Sequence, residues 1–334
     1  MTRIGRQGDL IGIVEAAYRV EQSTKGWLSG IVAAAAPVID DGYGVAAYTY
    51  DASNPSEFRV GPMVHQGLPE GFVAPFVESL AHLDANFVLK SFRTLSCGTG
   101  SEVPGWDQDP LIETLAERFG LRDSLSINGL NPDGHGCLLM AFLPEERKLD
   151  RPRRDLLSKL SCHLAAALRL RAKLALAEGS LPAPEAILDR SGKVCHAEHE
   201  ARSKASRSQL RESALAISKA RGPLRGRDPA EAIEEWRGLI AARWTLLEVS
   251  ESDGRTYLVA RQNEPRTCGP AALTEREQQV AALAALGHGN KLIAYNLGIS
   301  HSTVRVLMAR AAAKLGAGSR KELLRVLRVG HEHA

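Results

Sequence analysis

The chain has 334 residues, of which 44% are hydrophobic and 24% are charged, and its formal net charge is +3. This composition is that of an ordinary soluble protein with two or three domains. The most apolar run, residues 30–39, is too short to span a bilayer, and the N-terminus lacks the pattern of a signal peptide. The sequence therefore predicts a cytoplasmic protein without a membrane partner.

The five cysteines are scattered and odd in number, which favours reduced thiols over a disulfide framework. The sequence has no phosphate-binding loop, nucleophile elbow, HExxH zinc motif or dinucleotide-binding fingerprint. We therefore expect neither a catalytic site nor a cofactor. An N-terminal enzyme fused to another module is an alternative, but no residue pattern supports it.

The first 149 residues alternate helical and strand-like patterns. The turn sequence Asn131-Pro132-Asp133-Gly134, set between two apolar runs, predicts a β-hairpin. The predicted elements are a helix over 10–39 with a break near Gly26, strands over 43–50 and 58–64, a helical region over 72–95, a loop over 96–106, a helix over 111–119, and hairpin strands over 124–130 and 137–143.

This order of elements resembles a GAF-like sensor domain, an antiparallel sheet flanked by helices. The stretch 119–123 and the hairpin at Gly134 are also similar to the second half of the LuxR autoinducer-binding domain. The resemblance implies a pocket between sheet and helices for a small molecule. Its candidate lining residues are Tyr48, Phe58, Trp106 and Phe142. The alternative is that these aromatic residues only fill the core.

Residues 150–178 read as one long helix that connects the N-terminal region to the rest of the chain. Asp150 is suited to cap it, and Leu157, Leu160 and Leu164 recur at three- and four-residue steps. This apolar seam is consistent with pairing to a second copy of the chain. Packing of the seam on its own domain is the alternative.

After a linker by composition, residues 184–263 read as strand, turn, strand, helices and a terminal hairpin, an order that resembles a reduced PAS-like domain. The terminal strands are predicted over 244–249 and 256–261. Cys195, His196 and His199 lie close in sequence, but no fourth ligand follows at a suitable spacing. We therefore predict no metal site.

The last stretch, residues 273–327, divides into four short helices. Thr274 and Glu277 form a capping box at the start of the first. Asn290 is suited to cap the second, and Ser300 or Ser302 the third. A second capping box, from Ser319 and Glu322, opens the fourth helix. In the third helix, the expected inward stripe is Val304, Leu307, Ala311 and Leu315.

Two short helices joined by a tight turn, the second with a basic exposed face, form a helix-turn-helix that can place its second helix in the DNA major groove. The segment resembles the LuxR-type, or GerE-like, DNA-binding domain. The matching residues are 273–277, Asn290-Lys291, Ile293-Ala294, Ile299-Ser300, 303–305, 314–316, Arg320 and Glu322-Leu323. Leu292 and Leu307 depart from the family pattern, which usually has an acidic residue and a histidine there.

The resemblance implies that Arg305 and Val306 approach base edges and that Thr303 and Lys314 approach phosphates. Ala309 stands where relatives carry a longer polar side chain. The implied dimerisation residues on the fourth helix are Leu323, Leu324 and Leu327. The full set of candidate DNA-binding residues is Asn290, Lys291, Ser300, His301, Ser302, Thr303, Arg305, Val306, Ala309, Arg310, Lys314 and Arg320.

Positive charge is concentrated at this end of the chain. Residues 268–334 contain nine lysines and arginines and four acids, a net charge of +5, which leaves −2 on the remainder. Positive charge on the module that approaches DNA is what phosphate neutralisation requires. This distribution favours DNA binding over a purely structural four-helix bundle.

The sequence as a whole predicts an α+β fold. Its domains are a GAF-like sensor over 1–149 with an antiparallel sheet and flanking helices, a connecting helix over 150–178, a PAS-like α+β domain over 184–263 and an all-α helix-turn-helix domain over 270–334. The predicted function is that of a dimeric, sequence-specific DNA-binding transcription regulator under ligand or partner control. Its expected partners are double-stranded DNA, a second copy, RNA polymerase and a small molecule. The alternative function is a protein-interaction or assembly module without DNA readout.

Overall fold

A computed structural model describes residues 9–93, 97–106, 110–176, 183–236, 244–250, 255–265 and 273–331. The chain divides into two compact units. The first comprises Met1–Leu130, Gly134–Pro182 and Ser218–Glu235, and the second comprises Asn131–Asp133, Ala183–Ile217 and Trp236–Ala334. Two antiparallel sheets and a set of C-terminal helices confirm the predicted α+β class.

The first unit contains a five-stranded antiparallel sheet. Its strands are β1 Val45–Asp51, β2 Arg59–Gln66, β3 Cys97–Thr99, β4 Asp123–Leu130 and β5 His135–Leu143. They are arranged in the order β2-β1-β5-β4-β3. The central strand β5 is buried along all of its length except His135. β4 and β5 form the predicted hairpin, and Gly134 in its turn has a φ of +95°, a left-handed conformation that favours glycine. The short strand β3 lies in a stretch for which the sequence predicts only a loop.

Six helices flank this sheet, three on each face. They are α1 Leu10–Ala17, α2 Thr24–Ile39, α3 Val73–Leu80, α4 Ala85–Ser91, α5 Pro110–Phe119 and α6 Arg151–Leu176. The break that the sequence predicts near Gly26 separates two helices, and it lies just before that residue. The hydroxyl of Ser23 accepts a hydrogen bond from the N–H of Gly26 at 3.2 Å and so caps a new helix at Thr24.

The helices α1, α2 and α6 lie on one face of the sheet, where α6 packs closely on β4. A Cβ atom on Gly129 would lie 2.5 Å from Leu164 Cβ, so only glycine permits this approach. The seam residues Leu157, Leu160 and Leu164 are each 2% exposed or less. Of the two alternatives for the long helix, the structure therefore has the seam packed on its own domain. At its far end Arg171 lies over the ring of Trp27, with its guanidinium carbon 4.7 Å from the ring centroid.

Residues Ser218–Glu235 pack within the first unit, although the sequence assigns them to the middle domain. They include the end of α7 Lys204–Arg221, with α8 Leu224–Arg227 and α9 Pro229–Glu235. Arg225 donates to Asp9 at 2.8 Å and to Glu15 at 3.0 Å, and Arg221 donates to Glu15 at 3.1 Å. The buried Ile233 lies on α9, which contacts α1 and α6. Ion pairs and apolar packing between residues distant in sequence thus override the predicted boundary here.

The second unit contains a four-stranded antiparallel sheet. Its strands are β6 Ala186–Asp189, β7 Val194–Ala197, β8 Trp244–Ser250 and β9 Thr256–Gln262, in the order β7-β6-β9-β8. The turn between β6 and β7 is closed by Asp189, whose carboxylate accepts hydrogen bonds from the N–H groups of Ser191 and Lys193 at 2.9 and 3.0 Å. Both hairpins of this sheet occur where the sequence predicts them.

Four further helices complete the second unit: α10 Glu275–Ala285, α11 Asn290–Leu297, α12 His301–Lys314 and α13 Arg320–His331. Over the ranges that the structure describes, no helix combines the length and apolar character needed to cross a bilayer. Those same ranges contain no group of three or more His, Cys, Asp or Glu side chains arranged to hold a metal ion. Cys97, Cys137 and Cys162 are buried, Cys195 is exposed, and Cys268 lies outside the described residues.

Candidate functional site

Side-chain capping interactions mark the starts of three of the four C-terminal helices, α10, α12 and α13. Thr274 and Glu277 form the predicted capping box at α10, with the N–H of Thr274 donating to the Glu277 carboxylate at 2.8 Å. Gly289, not Asn290, is the N-cap of α11, and Asn290 is its first residue. At α13 the N–H of Glu322 donates to the Ser319 hydroxyl at 3.2 Å, while the Glu322 carboxylate accepts from Gly318 rather than closing a capping box.

A three-residue turn separates α11 from α12. Gly298 ends α11 with a φ of +60°, and the N–H of Ile299 donates back to the carbonyl of Ala294 at 3.0 Å. This left-handed ending satisfies carbonyls of the last helical turn. Ser300 then caps α12, since its hydroxyl accepts from the N–H of Thr303 at 3.0 Å. The two helices and this turn have the helix-turn-helix arrangement.

The inward face of α12 differs in part from the predicted stripe. Val304, Met308 and Ala311 are buried, at positions i, i+4 and i+7, and α12 packs against α10 and α11. Leu307 and Leu315, which the prediction places inward, are only half-buried. Val304 and Met308 are four residues apart, a spacing that places both on one face of a helix. The sequence therefore contained an indication that Met308 is buried, but the predicted stripe did not include this residue.

The outward face of α12 is polar, cationic and free of acidic residues. Arg305 and Arg310 are exposed and have no ion-pair partner among the described residues. Val306 lies between them with an exposed fraction of 49%. Of the twelve candidate DNA-binding residues, Asn290 is half-buried and the other eleven are exposed. The structure therefore places the predicted residues on an accessible surface and groups nine of them on α12 and its cap.

Hydrogen bonds between different elements of the domain engage three of the candidate residues, Asn290, Lys314 and Arg320. Lys314 donates to Glu277 at 2.7 Å. The Lys314 ammonium, together with the N–H of Thr274, lowers the pKa of the Glu277 carboxyl below its ordinary value. Arg320 donates to the side chain of Asn290 and, at 3.0 Å, to the carbonyl of His288. These contacts join α12 to α10, and α13 to the loop before α11, and the sequence did not indicate them.

The residues predicted for dimerisation lie mostly in the core of the domain. Leu323 is 0% exposed and Leu327 is 7% exposed, on the face of α13 that packs against α10 and α12. Leu324 is half-buried. The apolar pattern of α13 thus serves the interior at Leu323 and Leu327. This corrects their assignment to a partner surface and leaves Leu324, of the three, available for one.

We expect acid to destabilise the C-terminal domain through His288. Burial lowers the pKa of its imidazole from 6.5 to about 4, so below pH 6.5 the unfolded chain binds a proton that the folded one excludes. The free energy of unfolding should fall by about 1.4 kcal/mol per pH unit between these two values. Calorimetric unfolding from pH 7 to pH 4 measures this slope. His288→Gln should flatten it, and the exposed control His301→Gln should not; equal slopes in all three proteins would contradict the expectation.

The first unit contains the predicted pocket. A cavity of about 80 Å³ lies within a concave space of about 850 Å³ that includes its opening to solvent, between the sheet and the helices α3, α4 and α5. Tyr48, Trp106 and Phe142 line it, as predicted. Phe58 does not; its ring packs on those of Tyr50 and Phe92, with centroid distances of 5.8 and 4.6 Å. The cavity also has polar lining residues that the sequence did not indicate. They are Ser79, Ser91, Thr99, Arg122, Asp123, Ser124, Ser126 and Asn128.

The family model described as "Bacterial regulatory proteins, luxR family" (GerE) matches residues 271–327 of this chain. The matched range covers α10, α11, α12 and the first eight residues of α13, and it confirms the resemblance drawn from the sequence. The chain is also similar to the "Transcriptional regulatory protein FixJ" of Azorhizobium caulinodans, with 42% identity over 84 residues. That alignment covers 24% of this chain and 40% of the relative, so the chain spans well under two thirds of the relative it matches.

Among solved structures, the chain is similar to a crystal structure of Escherichia coli SdiA, with a TM-score of 0.34 and 14% identity over 94% of this chain and 93% of that one. A second structure, SdiA in complex with octanoyl-rac-glycerol, gives a TM-score of 0.30 and 12% identity over 96% and 88% of the two chains. TM-scores this low support no argument about fold or ligand. The family match and the geometry of α10 to α13 agree: residues 271–327 form a LuxR-type helix-turn-helix domain of the GerE family of bacterial regulatory proteins.

Proposed function

We propose that this chain is a sequence-specific DNA-binding transcription regulator, present in the cytoplasm, that binds DNA as a dimer under the control of its N-terminal unit. The observation that carries the proposal is the exposed face of α12, on which Arg305 and Arg310 flank Val306 without an acidic residue on the helix. The LuxR-family match supports a regulator over an enzyme. A cationic helix presented after a tight turn has the shape and charge to enter a major groove.

In this proposal, α12 lies in the major groove. Arg305, Val306 and Ala309 face base edges, and Ser300, His301, Ser302, Thr303, Arg310 and Lys291 approach the phosphates that flank them. Lys314 has three N–H donors, of which one binds Glu277, so the other two can reach a phosphate. Asn290 and Arg320 hold the loop before α11 in place, and the exposed Arg320 also contributes positive charge. Phosphate contacts then supply affinity, and base contacts supply sequence preference.

We propose a dimer because the major groove of DNA presents the same face once per helical turn, which allows two identical copies to bind side by side. Two copies with recognition helices one helical turn apart, about 34 Å, would read a two-fold-related site. Of the three residues predicted for dimerisation, Leu324 remains available for the partner copy, because Leu323 and Leu327 are buried within one chain. RNA polymerase is proposed as a further contact when the dimer is bound.

Control is proposed to come from the first unit, with the GAF-like sheet as the sensor and the PAS-like sheet as the middle region. The concave space lined by Tyr48, Trp106 and Phe142 has the apolar, aromatic lining of small-molecule sites. A ligand that binds one arrangement of the dimer more tightly than another would shift the population toward that arrangement. The ligand would thereby change the affinity for DNA.

A protein-interaction module is the alternative, and the exposed Val306 is the observation that favours it, because apolar side chains also occur in protein interfaces. Salt dependence separates the two functions. A dimer with three to five phosphate contacts per copy should lose about 10³- to 10⁵-fold in DNA affinity between 50 and 200 mM salt.

The experiment selects bound fragments from genomic DNA and then measures their affinity by gel shift over this salt range. Residues 1–265 alone, which lack the four helices, are the control and should select no DNA. A salt-independent affinity, or equal selection by the shortened chain, would reject DNA binding by α12.

A further inference from the structure

One face of α7 carries three cations that the protein itself does not neutralise. Residues 201–211 contain four lysines and arginines and no acid, although the chain before residue 268 has a net charge of −2. Lys204, Arg207 and Arg211 lie at positions i, i+3 and i+7 of the helix, a spacing that places them on one face. All three are exposed, and their side chains have no ion-pair partner among the described residues. We call these three residues the cationic stripe.

The cations at the other end of the same helix are neutralised within the protein. Lys219 donates to Glu231 and Glu235 at 3.2 and 2.6 Å, and Arg221 donates to Glu15 at 3.1 Å. Ion pairing therefore accounts for the charge at the C-terminal end of α7. The charge of the cationic stripe remains available to a partner outside the chain.

The cationic stripe is presented by a helix whose position is fixed. Leu210, Ala214 and Ile217, on a neighbouring face of α7, are each 1% exposed or less. The stem of Arg211 lies against the turn between β6 and β7, where a Cβ atom on Gly192 would be 3.1 Å from its Cγ atom. Because the backbone is held, binding would order only the ends of three side chains, which limits the entropy that is lost.

The spacing of the cationic stripe suits a phosphate backbone. Lys204 and Arg211 are about 10 Å apart along the helix axis, at about 1.5 Å per residue. Each strand of DNA carries a phosphate about every 3.4 Å along its own axis, so this length faces several phosphates. Glu212 lies about 100° around the helix from Arg211, and it accepts a hydrogen bond from Ser208 at 3.1 Å. The acid is thus beside the stripe and not within it.

Other classes of partner require features that α7 lacks. Protein interfaces have an apolar core, whereas the large apolar side chain that α7 exposes is Leu215, at 45%. Single-stranded nucleic acid stacks on aromatic rings, and residues 204–221 contain none. A helix on a membrane surface buries its apolar face in lipid, but the apolar face of α7 is already buried in the protein. Charge complementarity therefore favours duplex DNA.

We propose that the cationic stripe of α7 binds DNA phosphates, as a second and sequence-independent DNA surface beside the base contacts of α12. This inference rests on the proposed DNA binding by α12 and adds a surface from another domain. Residues Ala183–Ile217 belong to the same compact unit as α12, so DNA held by α12 has a high effective concentration for the stripe. The stripe supplies affinity without sequence preference, because phosphates carry no direct sequence information.

Salt dependence counts the phosphate contacts and so tests the proposal. The full chain carrying Lys204→Gln, Arg207→Gln and Arg211→Gln is compared with the unmodified chain by fluorescence anisotropy. Both bind a selected duplex and a scrambled duplex of equal length between 50 and 200 mM salt. If each copy in a dimer loses one contact, the affinity of the variant should fall about 12-fold less over this range. The ratio of the affinities for the two duplexes should not change.

The control removes the same charges from the first unit. Arg19→Gln, Lys25→Gln and Arg151→Gln replace two arginines and one lysine at exposed positions and should leave the salt dependence unchanged. Circular dichroism checks that each variant folds. An unchanged salt dependence in the α7 variant, an equal change in the control, or altered discrimination between the duplexes would overturn the contact. Arg305→Ala tests base readout separately, and the scrambled duplex decides the α7 contact whether or not that readout is correct.

Discussion

Replacing Arg305 with alanine is expected to lower the affinity for a selected DNA site by about 1–3 kcal/mol, which corresponds to roughly 5- to 150-fold. The guanidinium is exposed, has no ion-pair partner in the described parts of the chain and lies outside the buried face of α12 that Val304, Met308 and Ala311 form. Its removal should therefore cost contacts with DNA and little folding free energy. Gel shifts with the selected site and with single-base variants measure both affinity and discrimination.

If Arg305 contacts a base, its replacement should change the affinities for the single-base variants by unequal amounts. Discrimination should fall at one or two positions and persist at the others, because a base contact reads a local edge. Arg19→Ala is the matched control, since it removes an equal charge from an exposed site in the first unit. Arg310→Ala should weaken binding to all sequences alike and reduce the salt dependence. An Arg305→Ala protein that discriminates as well as the unmodified chain would refute the assignment of base readout to this residue.

Two valines on α12, two residues apart, are expected to respond in opposite ways to the same substitution. Val304 is 0% exposed, so Val304→Asp would bury an unpaired carboxylate at a cost of about 4 kcal/mol or more. Val306 is 49% exposed, so Val306→Asp should leave the domain folded. Its carboxylate would then face the DNA phosphates and reduce affinity by about tenfold or more. The measurements are hydrogen exchange over residues 273–327 and gel shift.

Val306→Asn separates the effect of charge from the loss of an apolar contact. The neutral amide should retain more DNA affinity than the carboxylate, with unchanged hydrogen exchange. If Val304→Asp kept the exchange protection of α10 to α13, the packing of α12 described here would be incorrect. If Val306→Asp bound DNA normally, the outward face of α12 would not be the DNA surface, and the interaction-module alternative would gain support.

Much of the C-terminal domain could be predicted because its signals are local. The capping box of Thr274 and Glu277 and the cap at Ser300 each join residues three positions apart, so the chain carries them wherever it packs. Gly298 likewise marks its own left-handed turn. The two hairpins of the second sheet and the turn before Gly134 were predictable for the same reason.

Errors arose where burial depends on several elements at once. Leu307 and Met308 are adjacent and both apolar, and only the positions of α10 and α11 decide that Met308 is the buried one. The apolar residues of α13 looked suited to a partner copy, but Leu323 and Leu327 fill the core of their own domain. Phe58 is aromatic, like many residues that line pockets, but its ring packs in a cluster with the rings of Tyr50 and Phe92.

What the sequence alone determined is the identity of the DNA-binding module, the capping box at Thr274, the cap at Ser300, the turn at Gly298 and the positive charge, because short-range hydrogen bonds and net charge do not depend on distant neighbours. Only the tertiary structure decided which side chains share a surface. It paired Lys314 with Glu277, and it brought Arg225 to Asp9, 216 positions away in the chain. It also brought Tyr48, Trp106 and Phe142, which are distant from one another in sequence, to the wall of one cavity. Such contacts cannot be predicted from the sequence pattern, because they form only when packing brings residues that are distant in the chain close together.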